Sequence, residues 1–597
     1  MADIAAPKTV NDQSVVPAIN QLPSEILLDI FVRLRKGKWF TLVHVCRLWN
    51  IVLVPELYRS IAIVSNEQLQ SVADIVTDKQ LGHLVRELRI STRLDEEQMA
   101  LLPQLFPYVT ELHGDTWEHD HLFSVLPKWK HLGKIEELFI EGNVPANFQT
   151  DSLGRQLKSL WVETKNIKEW IDTLVKLPLI EELTLTFVIN KWKTIQGTIS
   201  FTELEKIINN LPYLHSLRLE NLWTYGELPE HISPCKTLHN LNLKVRFGNG
   251  WAQYFATKCR ELEELTINRA QMHLDLALLA RSCTQLKSLT MHSADAYCAV
   301  MDILEQIASP IEEVEFDMQD AVWFRKTIHS FHRTLTSIKI WTYEDMPIET
   351  LLTEDLKACR LLRELTLSRF TGRLDIDVIL DRWDSLEHLF LQGEYIGLSN
   401  NCHATTKKPR LRSLQMNGED ISDDVFMWLA RTCRKLSSIE CWFIGESHRS
   451  RTICYPNQSL NLLSLRTYSN ALFKLTQLSE TECIKYKDRD GGQDDQAKDE
   501  MTGCTRWFHR VWDNGIATVY PIDPKGMNEA LYEYYKDYDR PYLGDSLYEF
   551  YDTYNDHPIS DAEANTERQR EIPALPIISI ICPHIDEICL YNCVVGN

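Results

Sequence analysis

One hydrophobic pattern dominates the middle of the chain: an aliphatic, two residues, an aliphatic, one residue, an aliphatic. It runs from Ile135-x-x-Leu138-x-Ile140 through Leu157-x-x-Leu160-x-Val162 and Leu386-x-x-Leu389-x-Leu391 to Leu436-x-x-Ile439-x-Cys441. From Leu214 the starts fall at 214, 238, 262, 286, 311, 335, 362, 386, 411, 436 and 462, in steps of 24 to 27 residues. One hexad fits any buried strand, but eleven in phase define a repeat. Weaker copies start at Val85 and Val109, and a detached one at Ile585. The longer step from Ile180 to Leu214 predicts an inserted loop over 187–200.

Helical patterns lie between the hexads, over 202–210, 274–283 and 423–433, with Ser422 as the expected N-cap of the last. Each repeat is thus one strand and one helix, which cannot bury its apolar side without neighbours. The expected fold is α/β: a solenoid with a parallel sheet on its concave face and helices on its convex face. Strand side chains alternate, so the aliphatics point inward and the residues between and just after them point out of the sheet. Large aromatics are unusual there, and they dominate interface hot spots. Trp161, Trp341, Phe390 and Trp442 are therefore the candidate substrate anchors, each with packing under a neighbouring loop as the other reading.

Residues 20–60 do not follow the repeat. Pro23 and Ser24 open a helix with apolar residues at Ile26, Leu27, Ile30, Phe31 and Leu34. Gly37 is expected to break it. A second stretch carries Leu42, Val45, Cys46, Trp49 and Val52, and Pro55 is expected to stop it. Two such helices need something to dock on, either the end of the repeat array or a partner.

The spacing over residues 20–60 resembles the F-box family. Leu22, Pro23, Glu25, Ile26 and Leu27 fit its opening, Ile30, Phe31 and Leu34 its first helix, Leu42 and Val45-Cys46-Arg47-Leu48-Trp49 its centre, and Pro55, Leu57 and Tyr58 its close. The repeats resemble the leucine-rich repeat family. Cys259, Cys283, Cys359 and Cys433, each three residues before a hexad, are similar to the cysteine-containing repeats of F-box leucine-rich repeat proteins. That resemblance implies a Skp1-like adaptor bound by Leu22, Pro23, Glu25, Ile26, Leu27, Ile30, Phe31, Leu34, Leu42, Val45, Cys46 and Trp49. Through it a cullin–RING ubiquitin ligase would be joined, with protein substrates on the concave face. A leucine-rich repeat scaffold acting outside ubiquitination is the alternative. A GTPase-activating role would need a catalytic Arg at an end loop, and none stands out.

Composition refines this reading. The 597 residues hold 44% hydrophobic and 25% charged residues, a folded-protein balance. Lys+Arg 63 against Asp+Glu 84 gives −21, which argues against nucleic-acid or anionic-membrane partners. Residues 481–570 hold 20 acidic and 11 basic residues and 10 of the 21 tyrosines. They read either as a mobile surface insertion or as an ordered arm that contacts substrate. No signal peptide or membrane span is visible, so the 15 cysteines are expected as reduced thiols in cytoplasm or nucleus.

The expected organisation is a disordered tail (1–19), an F-box (20–60), a leucine-rich solenoid (61–467), a partly disordered acidic Tyr-rich insertion (468–575) and a terminal repeat or cap (576–597). Cys582, His584, Cys589 and Cys593 carry zinc-type donors, as do His119, Asp120 and His121 more weakly. The first group reads better as structural cysteine and the second as a polar loop, so no metal, cofactor or catalytic residue is expected. No P-loop, dinucleotide fingerprint or hydrolase motif is present. The chain is expected to be a non-catalytic adaptor.

Overall fold

The computed structural model describes residues 19, 22–32, 36–114, 120–140, 150–187, 197–247, 250–267, 273–292, 294–318, 321–342, 358–400, 409–443, 450–455, 460–467, 471–478, 504–513, 516–522, 577–582, 585–590 and 593–595. They form two compact units, Met1–Gln285 and Leu286–Asn597.

The first unit begins with three helices, α1 (Ser24–Val32), α2 (Lys36–Leu42) and α3 (Arg47–Leu57). The strands β1 (Ser60–Ile63), β2 (Glu87–Ile90), β3 (Glu111–Gly114), β4 (Lys134–Ile140), β5 (Ser159–Thr164) and β6 (Glu182–Phe187) follow. Next come β7 (Gly197–Ser200), β8 (Ser216–Tyr225), β9 (Asn240–Phe247) and β10 (Glu264–Ile267). Apart from β7, each pairs with the next in a parallel sheet.

The hexads align across the strands: Val162 lies beside Leu185, Leu185 beside Leu219 and Leu219 beside Leu243. Their leading residues Leu157, Ile180, Leu214 and Leu238 are fully buried just before the strands. Each buried aliphatic contributes about 1.5–3 kcal/mol, so the ladder supplies the core between sheet and helices.

A backbone device keeps the pitch. The carbonyl of Lys158 accepts the N–H groups of Glu181 and Glu182, that of Glu181 those of His215 and Ser216, and that of His215 those of His239 and Asn240. One acceptor per repeat thus holds two donors of the next, and side-chain identity hardly matters there. Gly82 marks a tight approach: an added Cβ would stand 1.8 Å from the carbonyl oxygen of Leu105.

The second unit has β11 (Ser288–Met291), β12 (Glu313–Met318), β13 (Ser337–Thr342), β14 (Glu364–Asp375), β15 (His388–Gly397), β16 (Ser413–Ile421) and β17 (Ser438–Phe443). These are followed by β18 (Arg451–Cys454), β19 (Leu460–Thr467), β20 (Ala471–Gln477), β21 (Cys504–Asp513), β22 (Ile516–Ile522), β23 (Ile577–Cys582), β24 (Ile585–Leu590) and β25 (Cys593–Val595). Strands β11 to β17, then β19 and β24, form the parallel repeat sheet. The detached copy at Ile585 therefore extends the array, with Ile588 beside Leu463 and Leu590 beside Leu465. The same shared carbonyl recurs, from Lys287 O to Ser437 O.

Strand β18 and the segment between β19 and β24 build a second sheet, ordered β18-β23-β20-β21-β22. Residues 479–503 and 523–576, with most of the acidic and tyrosine residues, lie outside the described residues. Cys454, Leu478 and Ile581 of this sheet pack with Met427 of the helix Asp423–Thr432. Arg451, almost fully buried, bonds to Asp420 Oδ1 at 2.9 Å and Ile421 O at 2.6 Å. Its guanidinium lies 5.1 Å from the centre of the Phe443 ring.

Several local expectations change. Gly37 lies within a helix, and residues 42–52 are divided between α2 and α3 because Cys46 is fully extended (φ −157°, ψ 166°). Pro55 does not stop α3, which runs two residues further; near a helix end its missing N–H costs one bond. Ser422 occupies the N-cap position, but its side chain makes no capping bond. The end of the 187–200 loop is β7, which pairs with the second half of β8.

Candidate functional site

The N-terminal helices divide their apolar residues into two sets. Leu27 and Phe31, one turn apart on α1, are buried with Trp39, Val43 and Leu53. Trp39 donates its indole N–H to Phe31 O at 2.8 Å, and the Phe31 and Trp49 rings meet edge-on at 4.9 Å. Leu22, Ile30, Leu42 and Trp49 pack at the margin of this core.

The second set faces water. Ile26 is 49% exposed, Val45 56%, Ile51 60% and Phe40 66%. Six of the fifteen exposed large apolar side chains among the described residues fall within 19–64. Exposed apolar side chains are thus concentrated in this short segment. Pro23 and Glu25 are also exposed, Cys46 is half-buried before α3, and Leu34 lies outside the described residues. Phe40, Ile51 and the core residue Trp39 were not singled out in the sequence. Trp39 and Phe40 are adjacent on one helical turn, and periodicity could have separated them only with the helix bounds known.

On the first unit's open sheet face, Trp161 donates to Thr186 Oγ1 at 3.1 Å, and Thr186 to Glu220 at 3.3 Å. Glu220 Oε1 also receives Arg218 at 2.6 Å and Lys244 at 3.2 Å. Burial pushes the Glu220 carboxyl up, but Arg218 and Lys244 outweigh it and hold it below the ordinary value. Glu163 is raised by burial and by Glu220. Trp161 is therefore tied into a polar network, with the Arg218 guanidinium 5.9 Å from its ring centre.

In the second unit, Trp341 and Phe390 line one hollow of about 340 Å³, with Lys339, Glu364, Thr366, His388, Ser413 and Gln415. Trp341 donates to Glu315 at 3.1 Å, and Lys339 pairs with Glu364 at 3.3 Å. Trp442 lies apart, covered by the Arg466 guanidinium 4.2 Å from its ring centre.

The repeat cysteines are shielded from solvent. Cys259, Cys283, Cys359 and Cys433 are buried, and burial pushes the thiols of Cys283, Cys359 and Cys433 up to about 12. Among the described residues no three His, Cys, Asp or Glu side chains are grouped to hold a metal. Cys582 is buried, whereas His119, His584 and the side chains of Asp120, His121, Cys589 and Cys593 lie outside the described residues. No described helix is long and apolar enough to cross a membrane.

A repeat sheet with an exposed apolar helical module at its head defines a protein-interaction adaptor. Residues 19–64 match the family model described as F-box-like. The chain thus joins an F-box-like domain to a leucine-rich repeat array. F-box and leucine-rich scaffold families are generally non-catalytic.

No curated protein matches the chain. Among solved structures, the TLR13–ssRNA13 complex aligns at 13% identity and TM-score 0.41, over 68% of this chain and 58% of that one. The chain thus spans less than two thirds of that protein. An internalin of Listeria monocytogenes aligns at 15% identity and TM-score 0.30, over 65% of this chain and 96% of that one. A Leptospira interrogans leucine-rich repeat protein aligns at 15% identity and TM-score 0.28, over 65% and 91%.

Proposed function

We propose that the protein is the substrate-recognition subunit of a Skp1–cullin–F-box ubiquitin ligase, working in cytoplasm or nucleus. The observation that carries this reading is the F-box-like domain with Ile26, Phe40, Val45 and Ile51 exposed on it. An apolar helical surface of this kind suits a helical partner such as a Skp1-like adaptor. A cullin–RING ligase would join through that adaptor. The repeat face, with Trp341 and Phe390 around one hollow, would hold a protein substrate. The chain itself supplies no chemistry in this scheme; it raises the effective concentration of substrate lysines near the ligase's catalytic subunits.

Co-expression of the full chain with a Skp1-like adaptor tests it. A stoichiometric complex on gel filtration is expected, lost on Val45→Asp with Ile26→Asp. If a folded protein does not bind the adaptor, the reading fails and a scaffold role outside ubiquitination replaces it.

A further inference from the structure

Three side chains on adjacent strands of the second unit hold buried polar atoms that lack partners. Asn417 on β16, Trp442 on β17 and Arg466 on β19 stand in register on the open face. Among the described residues, the Asn417 amide oxygen, the Trp442 indole nitrogen and the Arg466 Nε have no hydrogen-bond partner. Asn417 is only 6% exposed. The Arg466 guanidinium lies over the Trp442 indole, 4.2 Å from its ring centre. Native proteins rarely leave buried polar atoms unpaired, and three side by side call for an explanation.

The set is one acceptor followed by two donors, one of them on a guanidinium. An extended peptide with an acidic side chain complements it. A peptide N–H would meet Asn417, and the carboxylate would take the guanidinium and indole N–H groups. The hollow of Trp341 and Phe390 lies across β13 to β16 of the same sheet. Strands about 4.8 Å apart put its middle roughly 14–17 Å from Arg466, which is about four or five residues of extended chain at about 3.3 Å each.

We infer that this face binds a linear peptide with an aromatic or large aliphatic residue in the hollow and an Asp or Glu about four or five positions away at Arg466. This rests on the reading above that the repeat face holds a protein substrate, and it names the peptide class. Without ligand, Arg466 covers the indole; the ligand carboxylate draws the guanidinium off the ring and frees the indole N–H. An internal side chain is favoured over a chain terminus, because the array continues beyond β19 to β24 and leaves room for the peptide to run on. Glu440, two residues from Trp442 on the same strand, disfavours a doubly charged phosphate.

Random dodecapeptides displayed on phage and selected on the full-length protein test this. The selected set should share the apolar–acidic pair at that spacing. A recovered peptide, resynthesised with a fluorescein label, should lose about tenfold or more in affinity when its acid becomes the amide. The same loss is expected in protein carrying Arg466→Gln or, with the ring kept, Trp442→Phe, at unchanged melting temperature. C-terminal amidation of the peptide should change nothing.

Peptides without a shared acid, an acid whose removal has no effect, loss of binding on amidation, or tighter binding of a phosphoserine version would each overturn the inference. Adaptor binding is read on the same samples. Its failure with peptide binding intact removes the ligase reading alone, and the reverse result removes this one alone.

Discussion

Lys258, with its side chain buried, holds Glu205 at 3.0 Å. Glu205 also accepts Tyr254 Oη at 2.9 Å, Ser233 N at 3.1 Å and Asn209 Nδ2 at 2.9 Å. The pair thereby joins the helices Phe201–Asn210 and Trp251–Lys258. Leaving one charge of such a pair alone costs about 3–5 kcal/mol. Lys258→Met should lower the melting temperature far more than the exposed substitution Lys206→Met, as calorimetry would show.

The same site predicts acid sensitivity. Burial works to raise the Glu205 carboxyl, but hydrogen bonds from Lys258 and Tyr254 outweigh it and hold the group below the ordinary value. A lowered folded-state value means stability that is full above the unfolded value of about 4.3 and is lost as pH falls below it. Glu205→Gln should flatten the fall of melting temperature as pH drops below about 4 and leave its course at higher pH unchanged.

The two apolar sets of the N-terminal helices should separate by phenotype. Leu27→Ala opens a cavity in the small core and should cost about 2–5 kcal/mol. Phe40→Ala and Ile51→Ala should leave the circular dichroism melt almost unchanged. Equal destabilisation by all three would contradict the division.

Thiol chemistry should follow burial. At pH 8, Cys283, Cys359 and Cys433 should resist iodoacetamide in the folded protein, because their thiols are pushed up to about 12. Among the described cysteines, half-buried Cys46 and Cys235 should be alkylated before them. Peptide mapping after a timed pulse gives the order.

Gly82→Ala should be among the most damaging single-methyl changes. The added carbon meets backbone, the Leu105 carbonyl, which cannot swing aside as a side chain can. Poor soluble expression with an early melt is expected, against near-neutral behaviour for Gly133→Ala, where the nearest atom lies 3.7 Å away.

The repeat was legible because its period is long and each hexad repeats the same burial. Strand β1 was not, although its hexad is present as Tyr58-x-x-Ile61-x-Ile63, in register with β2. An aromatic leads it, and the F-box pattern ends on the same residue. The second sheet was hidden for a different reason. Thr452 pairs with Ser579 across an intervening stretch, and no local period reports such pairing. On the repeat face, aromatic type alone nominated four anchors. Only the registers show Trp341 and Phe390 sharing a hollow, Trp161 tied to Thr186 and Trp442 beneath Arg466.

Only Tyr58 and Arg59 separate the end of α3 from β1, and Arg59 O accepts the N–H groups of Arg86 and Glu87. The helix that carries Ile51 thus empties directly into the first rung of the sheet, with no slack between them. Twisting that helix would strain the first rung. So short a joint should carry motion of the helix into the sheet as an axle does, and lengthening it with a few glycines should uncouple the two ends while leaving each one folded.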